Sequence, residues 1–90
     1  IERHFCWAVE RMGGKSYKFT SPSRRGVSDR VACLHDGTTW FVELKAPKGR
    51  LSPLQKMFAN EMMELNQQYA CLWTKEQVDD FAKALSRNSC

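Results

Sequence analysis

The chain has 90 residues, of which 14 are basic and 10 are acidic, so its formal net charge is +4. This length predicts one domain over residues 1–90. A hydrophobic content of 42% with 27% charged residues is ordinary for a globular protein and excludes a disordered one. No apolar run approaches the roughly 20 residues that cross a bilayer, so we expect no membrane as a partner.

The basic residues are concentrated in the first part of the chain. Residues 1–56 hold 11 bases and 5 acids, whereas the remaining residues hold 3 bases and 5 acids. Positions 11–28 contain no acidic residue at all. Such clustering favours a polyanionic partner, with nucleic acid the first candidate, although a solvated basic surface is the plainer alternative.

Hydrophobic periodicity and turn signals predict seven elements. In chain order they are a helix over 1–12, an extended segment over 16–19, strands over 30–35 and 38–45, a helix from 53, a strand over 69–73 and a last helix. Gly13-Gly14 ends the first helix, and Asp36-Gly37 predicts a hairpin between the second and third strands. The expected fold is therefore α/β, in the order α-β-β-β-α-β-α, with the sheet flanked by helices.

Two helices begin with a capping box. Ser52, followed by Pro53 and Gln55, predicts the start of the second helix, and Thr74 with Gln77 predicts the start of the third. The apolar stripe of the second helix is expected to consist of Leu54, Met57, Phe58, Met62 and Leu65. We expect its methionines, like Trp40 and Trp73, to belong to the core rather than to a base-stacking surface.

Two acidic residues and a lysine form the candidate active site. Because side chains alternate along a strand, Glu43 and Lys45 share one face. A hairpin centred on Asp36-Gly37 places Asp29 roughly opposite Lys45 and near Glu43. The plainer interpretation of such a pair is a weak, exposed ion pair.

Neighbouring carboxylates repel each other unless a cation binds between them. Oxygen ligands favour a hard ion such as Mg²⁺ or Mn²⁺, which can act as a Lewis acid on a phosphoryl oxygen and lower the pKa of a bound water. Lys45 would then orient that water or offset charge in the transition state. The pattern of Asp29, Glu43 and Lys45 thus indicates metal-dependent phosphodiester hydrolysis.

Other polar residues have a structural and a functional interpretation. Gln55 is explained by its capping box, and its alternative role is to face an anion or a water at the helix N-terminus. Glu2 is favoured by the dipole of the first helix, and its alternative role is that of a further metal ligand. The candidate phosphate contacts are the loop cations Arg24, Arg25, Lys48 and Arg50.

The motifs occur in a familiar order. An N-terminal glutamate, G-G, S-P-S-R-R-G-V-S-D, F-V-E-L-K-A-P and G-R-L-S-P-L-Q together closely resemble the VRR-NUC domain, the virus-type replication-repair nuclease branch of the PD-(D/E)xK superfamily. The resemblance extends from Glu2 to about Leu85. It implies a restriction-endonuclease-like core with a mixed central sheet, dependence on Mg²⁺ or Mn²⁺, and cleavage of DNA in replication or repair.

The family's functional residues correspond to positions already singled out. The resemblance makes Asp29, Glu43 and the main-chain carbonyl of Leu44 metal ligands, Lys45 the catalytic lysine, Gln55 the motif glutamine and Glu2 the glutamate of the first helix. Glu10 is a rival for the role of Glu2, but its distance from the glycines fits less well. The chain departs from the family at Ser28, where proline is frequent.

The resemblance also suggests a biological setting. Ninety residues without an appended domain resemble the small stand-alone phage members, which can dimerise, and a symmetric homodimer would suit branched DNA such as four-way junctions or flaps. Four widely spaced cysteines favour a reduced, intracellular protein, although one disulfide is an alternative. Two other hypotheses remain, namely a non-catalytic nucleic-acid-binding module on the same fold and a small structural domain.

Overall fold

The computed structural model describes residues 1–20 and 26–87. It confirms the predicted order of elements, which are α1 (Glu2–Arg11), β1 (Lys15–Lys18), β2 (Arg30–Cys33), β3 (Thr39–Leu44), α2 (Pro53–Glu64), β4 (Gln68–Leu72) and α3 (Lys75–Arg87). No helix in the described ranges has the length and apolarity needed to cross a membrane.

The four strands form one mixed sheet in the order β1-β2-β3-β4. The pairs β1–β2 and β2–β3 are antiparallel, whereas β3 and β4 are parallel. A parallel pair needs a crossover connection, and α2 provides it. The predicted mixed sheet with flanking helices is therefore confirmed.

The two faces of the sheet are covered unequally. On one face α1 and α3 enclose the main core, in which Phe5, Val42 and Val78 are fully buried. On the other face α2 places Phe58 against Phe41 at 5.7 Å and against Tyr69 at 6.2 Å between ring centroids. Because side chains alternate, the face covered by α2 is the one that carries Glu43.

The β2–β3 hairpin has a three-residue loop. Leu34 pairs with Thr38, whose carbonyl accepts the Leu34 N–H at 2.9 Å, and Gly37 has a φ of +90°. A left-handed residue at the end of such a loop is typical of three-residue hairpins. The resulting register pairs Arg30 with Val42. Asp29 therefore lies opposite Glu43, which confirms the prediction that it lies near Glu43, whereas the prediction that it lies roughly opposite Lys45 was wrong by two residues.

The second helix begins as predicted but buries a narrower stripe. Ser52 and Gln55 form the reciprocal capping box, with Gln55 N–H donating to Ser52 Oγ at 3.2 Å. Of the expected apolar stripe only Phe58 is buried, and Leu54, Met57 and Leu65 are 44%, 57% and 61% exposed. The prediction of a buried stripe was wrong for these three residues, because α2 lies along β4, the sheet edge, and contacts the sheet through the side that carries Phe58 and the half-buried Met62.

Candidate active site

Side chains on the α2 face form two parallel rows across the sheet. The first, which we call the carboxylate row, consists of Phe19, Asp29, Glu43 and Cys71. The second, which we call the aromatic row, consists of Tyr17, Val31, Phe41 and Tyr69. The strand pairing thus brings the two predicted metal ligands side by side on adjacent strands.

Asp29 lies where β2 and β3 separate. The paired residues end at Arg30 and Val42, and one step further the Leu44 N–H donates to Asp29 Oδ2 at 3.3 Å. The next N–H along β3, that of Lys45, points the other way and donates to the Leu72 carbonyl at 2.9 Å. Since the N–H and C=O of one strand residue face the same side, the Leu44 carbonyl faces the side of Asp29.

Glu43 is a buried carboxyl group without a donor. Its side chain is 1% exposed, and neither of its oxygens accepts a hydrogen bond from the described part of the chain. Burial first, and then the neighbouring Asp29 carboxyl group, raise the pKa of Glu43 to about 8, whereas Lys45 lowers it. Two adjacent carboxylates in a buried site repel each other, so without a cation the site holds a proton instead.

This raised pKa predicts how stability depends on pH in metal-free protein. Between the ordinary value of 4.5 and about 8, the folded chain binds a proton at Glu43 that the unfolded chain releases. The free energy of unfolding is therefore highest below this window and falls through it, by at most about 1.4 kcal/mol per pH unit. Thermal unfolding in chelator across the window should show this decline for wild type. An identical decline in Glu43→Gln would assign it to other groups.

Two residues of β4 complete the surroundings of the carboxylates, and sequence reasoning missed both. Cys71 pairs directly with Glu43, and burial together with the nearby carboxylates raises its pKa to about 11. Tyr69 lies in the neighbouring row, and burial first, then the charges of Cys71, Glu43 and Asp29, raise its pKa above the ordinary value. Alternation along β4 was visible in the sequence, but its parallel register with β3 was not.

Lys45 follows the last residue of β3 and begins the loop that leads to α2. This loop is fastened to the end of β4, because the Trp73 indole N–H donates to the Gly49 carbonyl at 2.8 Å. Lys48 and Arg50, the predicted phosphate contacts of the loop, are both exposed. Arg24 and Arg25 lie outside the described residues.

The segment before Asp29 contacts the first turn of α2 at Gly26. Gly26 has a φ of +84°, and a Cβ there would lie 2.5 Å from the Leu54 carbonyl oxygen. No side chain fits at this position without moving the backbone of one segment. The close contact therefore brings the segment that carries Asp29 next to the helix end that carries Gln55.

Gln55 and Glu2 have partners other than the two carboxylates, namely Ser52 for Gln55 and Arg30 for Glu2. The Gln55 side chain accepts the Ser52 N–H at 2.8 Å, so its capping role is confirmed. Glu2 is half exposed and lies 3.7 Å from Arg30 Nη2. Within residues 1–20 and 26–87, no three acidic, histidine or cysteine side chains converge in a way that could hold a metal. The role of Glu2 as a ligand stays a prediction.

The residues present fit a hard divalent cation. Asp29 and Glu43 provide two carboxylates, and no described residue donates a hydrogen bond to either of the two buried Glu43 oxygens. Mg²⁺ is commonly bound by one or two carboxylates, with waters and substrate phosphates completing its shell. An all-oxygen set of two carboxylates and a carbonyl suits Mg²⁺ or Mn²⁺ better than a softer metal.

Comparison with known proteins identifies the fold. No family model matches the sequence. A solved structure described as "VRR_NUC domain" superposes with a TM-score of 0.85 at 23% sequence identity, covering 91% of this chain and 89% of that one. The chain has the VRR-NUC fold. The predicted restriction-endonuclease-like architecture is thereby confirmed for nearly the whole chain.

A curated relative adds a second finding. The "Putative nuclease p44" of Acyrthosiphon pisum secondary endosymbiont phage 1 is 49% identical over 55 residues. The match covers 61% of this chain and 59% of that phage protein. The VRR-NUC fold thus occurs here in a sequence related to a phage protein.

Proposed function

We propose that this chain is a metal-dependent nuclease that hydrolyses phosphodiester bonds in DNA. The observation that carries the proposal is the buried Glu43 carboxyl, which has no hydrogen-bond donor among residues 1–20 and 26–87 and lies beside Asp29 in a VRR-NUC fold. A structural domain has no need for two adjacent carboxyl groups that repel each other when ionised. The similarity to a phage protein named as a nuclease supports the same function.

Each residue of the site has a role in this proposal. Asp29, Glu43 and the Leu44 carbonyl would hold Mg²⁺ or Mn²⁺, with Glu2 as a further candidate ligand. When bound, the ion supplies a Lewis acid for the phosphoryl oxygen and lowers the pKa of an attacking water. The Leu44 N–H keeps one Asp29 oxygen in place, which fixes the direction of the other.

Lys45 and Gln55 act on the reacting groups. The Lys45 ammonium orients the attacking water or offsets the negative charge that develops on the phosphoryl oxygens. Gln55, at the start of α2, faces the bound anion from a helix end whose dipole favours negative charge. Lys48 and Arg50, with Arg24 and Arg25, contact phosphates and position the DNA without reading its sequence.

We further propose that the enzyme acts in replication or repair inside a bacterial or phage-infected cell, as a homodimer on branched DNA. Two symmetric sites would suit the two-fold symmetry of a four-way junction. Cleavage of single-stranded, duplex, flap and junction substrates in Mg²⁺ and Mn²⁺, alongside sedimentation of the protein, tests this directly. We expect flaps or junctions to be cut faster than linear duplex.

The same experiment separates the alternatives. Equal cleavage of linear duplex and of a four-way junction would contradict the proposed structure selectivity but support the nuclease function. Binding to DNA without cleavage in either metal would instead favour a non-catalytic nucleic-acid-binding module. A monomer that cuts junctions would contradict the proposed dimer.

A further inference from the structure

Part of the active-site face is exposed at β1 in the described part of the chain. The ring contacts of α2 with this face are at Phe41 and Tyr69, towards the β4 edge. At the opposite edge, on β1 and just after it, Tyr17 is 56% exposed and Phe19 is 36% exposed. Two aromatic rings thus lie on the active-site face, towards solvent.

These rings continue the rows that contain the site. Phe19 ends the carboxylate row, and its N–H donates to the Asp29 carbonyl at 2.7 Å. Its ring lies 6.2 Å from that of Phe41 between centroids, in a tilted arrangement. Phe19 is two strand spacings, about 10 Å, from Glu43. Tyr17, two residues before Phe19, ends the aromatic row.

The charge around the rings indicates what would cover them. Lys15 shares the strand face of Tyr17 and Phe19, and Lys18 is exposed next to them. No acidic residue occurs at positions 11–28. Exposed aromatic rings beside cations are the usual means of binding single-stranded nucleic acid, because every base offers a face for stacking.

We infer that Tyr17 and Phe19 stack unpaired bases of the DNA substrate and so guide a single-stranded segment to the carboxylate row. This inference rests on the proposed nuclease function and names the part of the substrate that the exposed part of this face binds. A paired and stacked duplex does not present free base faces to these rings. The substrate class is therefore DNA with a single-stranded arm or gap next to the cleaved bond.

The inference is tested by binding, without cleavage. The probe is a short fluorescein-labelled oligothymidylate in chelator, followed by anisotropy. Tyr17→Val removes the ring and keeps a residue that favours β-strands. It should weaken oligothymidylate binding about fivefold to tenfold, which is the low end of the loss expected for one stacked base. Tyr17→Phe, which keeps the ring, should bind like wild type. Phe19→Leu should weaken binding similarly, with thermal unfolding to show that it folds.

A matched control is available on the opposite side of the sheet. Trp7 on α1 is 51% exposed, a fraction close to that of Tyr17. Trp7→Leu should therefore leave oligothymidylate binding unchanged. Equal losses in Trp7→Leu and Tyr17→Val would overturn the inference, because they would show a general effect of removing exposed rings.

Other outcomes overturn the inference in distinct ways. Wild type that does not bind oligothymidylate, or Tyr17→Val that binds it as well as wild type, would exclude stacking. If Tyr17→Val converted a dimer into monomers, this face would be an interface between copies of the chain instead. Binding that depends on the rings, without any cleavage, would contradict the proposed nuclease function and support the stacking. Cleavage together with binding that does not depend on the rings would support the nuclease function and contradict the stacking.

Discussion

Replacing Lys45 by alanine should reduce DNA cleavage by roughly 10²- to 10⁴-fold, the range expected for loss of one proton-transfer or charge-stabilising group. The substitution removes a positive charge two residues after Glu43, one that acts on the same carboxyl group as Asp29. DNA binding should be retained, because the proposal assigns the phosphate contacts to other cations, those of the loops. Nicking of supercoiled plasmid and DNA anisotropy measure the two properties separately.

Lys83→Ala provides the matched control for this substitution. Lys83 is exposed on α3, which packs on the other face of the sheet. Its replacement removes one positive charge, as Lys45→Ala does. Because this charge lies on the other face of the sheet, its loss should leave nicking unchanged. Undiminished cleavage by Lys45→Ala would remove Lys45 from the mechanism, and equal losses in both variants would point to net charge.

The second large effect is expected at Glu43. Glu43→Gln keeps the size of the side chain and resembles its protonated form, so the fold should be retained without metal. The glutamine amide lacks the negative charge of a carboxylate ligand. Mn²⁺ affinity should therefore fall by at least about tenfold, with a comparable or greater loss of cleavage. Titration calorimetry with Mn²⁺ measures the affinity.

The pH dependence of this titration offers an additional check. Because the pKa of Glu43 in metal-free protein is about 8, metal binding must displace its proton. Wild-type affinity should therefore rise as pH increases towards 8. Glu76→Gln, an exposed change on α3, should behave like wild type. Undiminished Mn²⁺ affinity in Glu43→Gln would exclude Glu43 as a ligand.

Much of this fold follows from local sequence signals. Both capping boxes form as the spacing of Ser52 with Gln55 and of Thr74 with Gln77 predicts. Strand alternation places Glu43 on the face opposite Val42, as expected. These features depend on neighbours within a few residues, and tertiary packing left them unchanged.

Other features depend on contacts that no local pattern encodes. The observed register of Asp29 differs from the predicted one because the hairpin loop has three residues, with Gly37 in the left-handed conformation. The stripe of α2 is partly exposed because the helix lies at the sheet edge, which hydrophobic periodicity does not reveal. The place of Cys71 beside Glu43 required the parallel pairing across the α2 crossover. The pKa of Glu43 follows from burial, which the sequence alone does not give.

If Asp29 and Glu43 hold a divalent ion that is needed to cut DNA, cleavage must depend both on that ion and on these carboxylates. The most direct measurement is nicking of supercoiled plasmid by purified wild-type protein, first in chelator and then after Mg²⁺ or Mn²⁺ is restored, with Glu43→Gln in parallel. We expect no nicking in chelator, nicking by wild type once either ion is added, and little or none by Glu43→Gln. Nicking that persists in chelator, or that Glu43→Gln performs as fast as wild type, would contradict it.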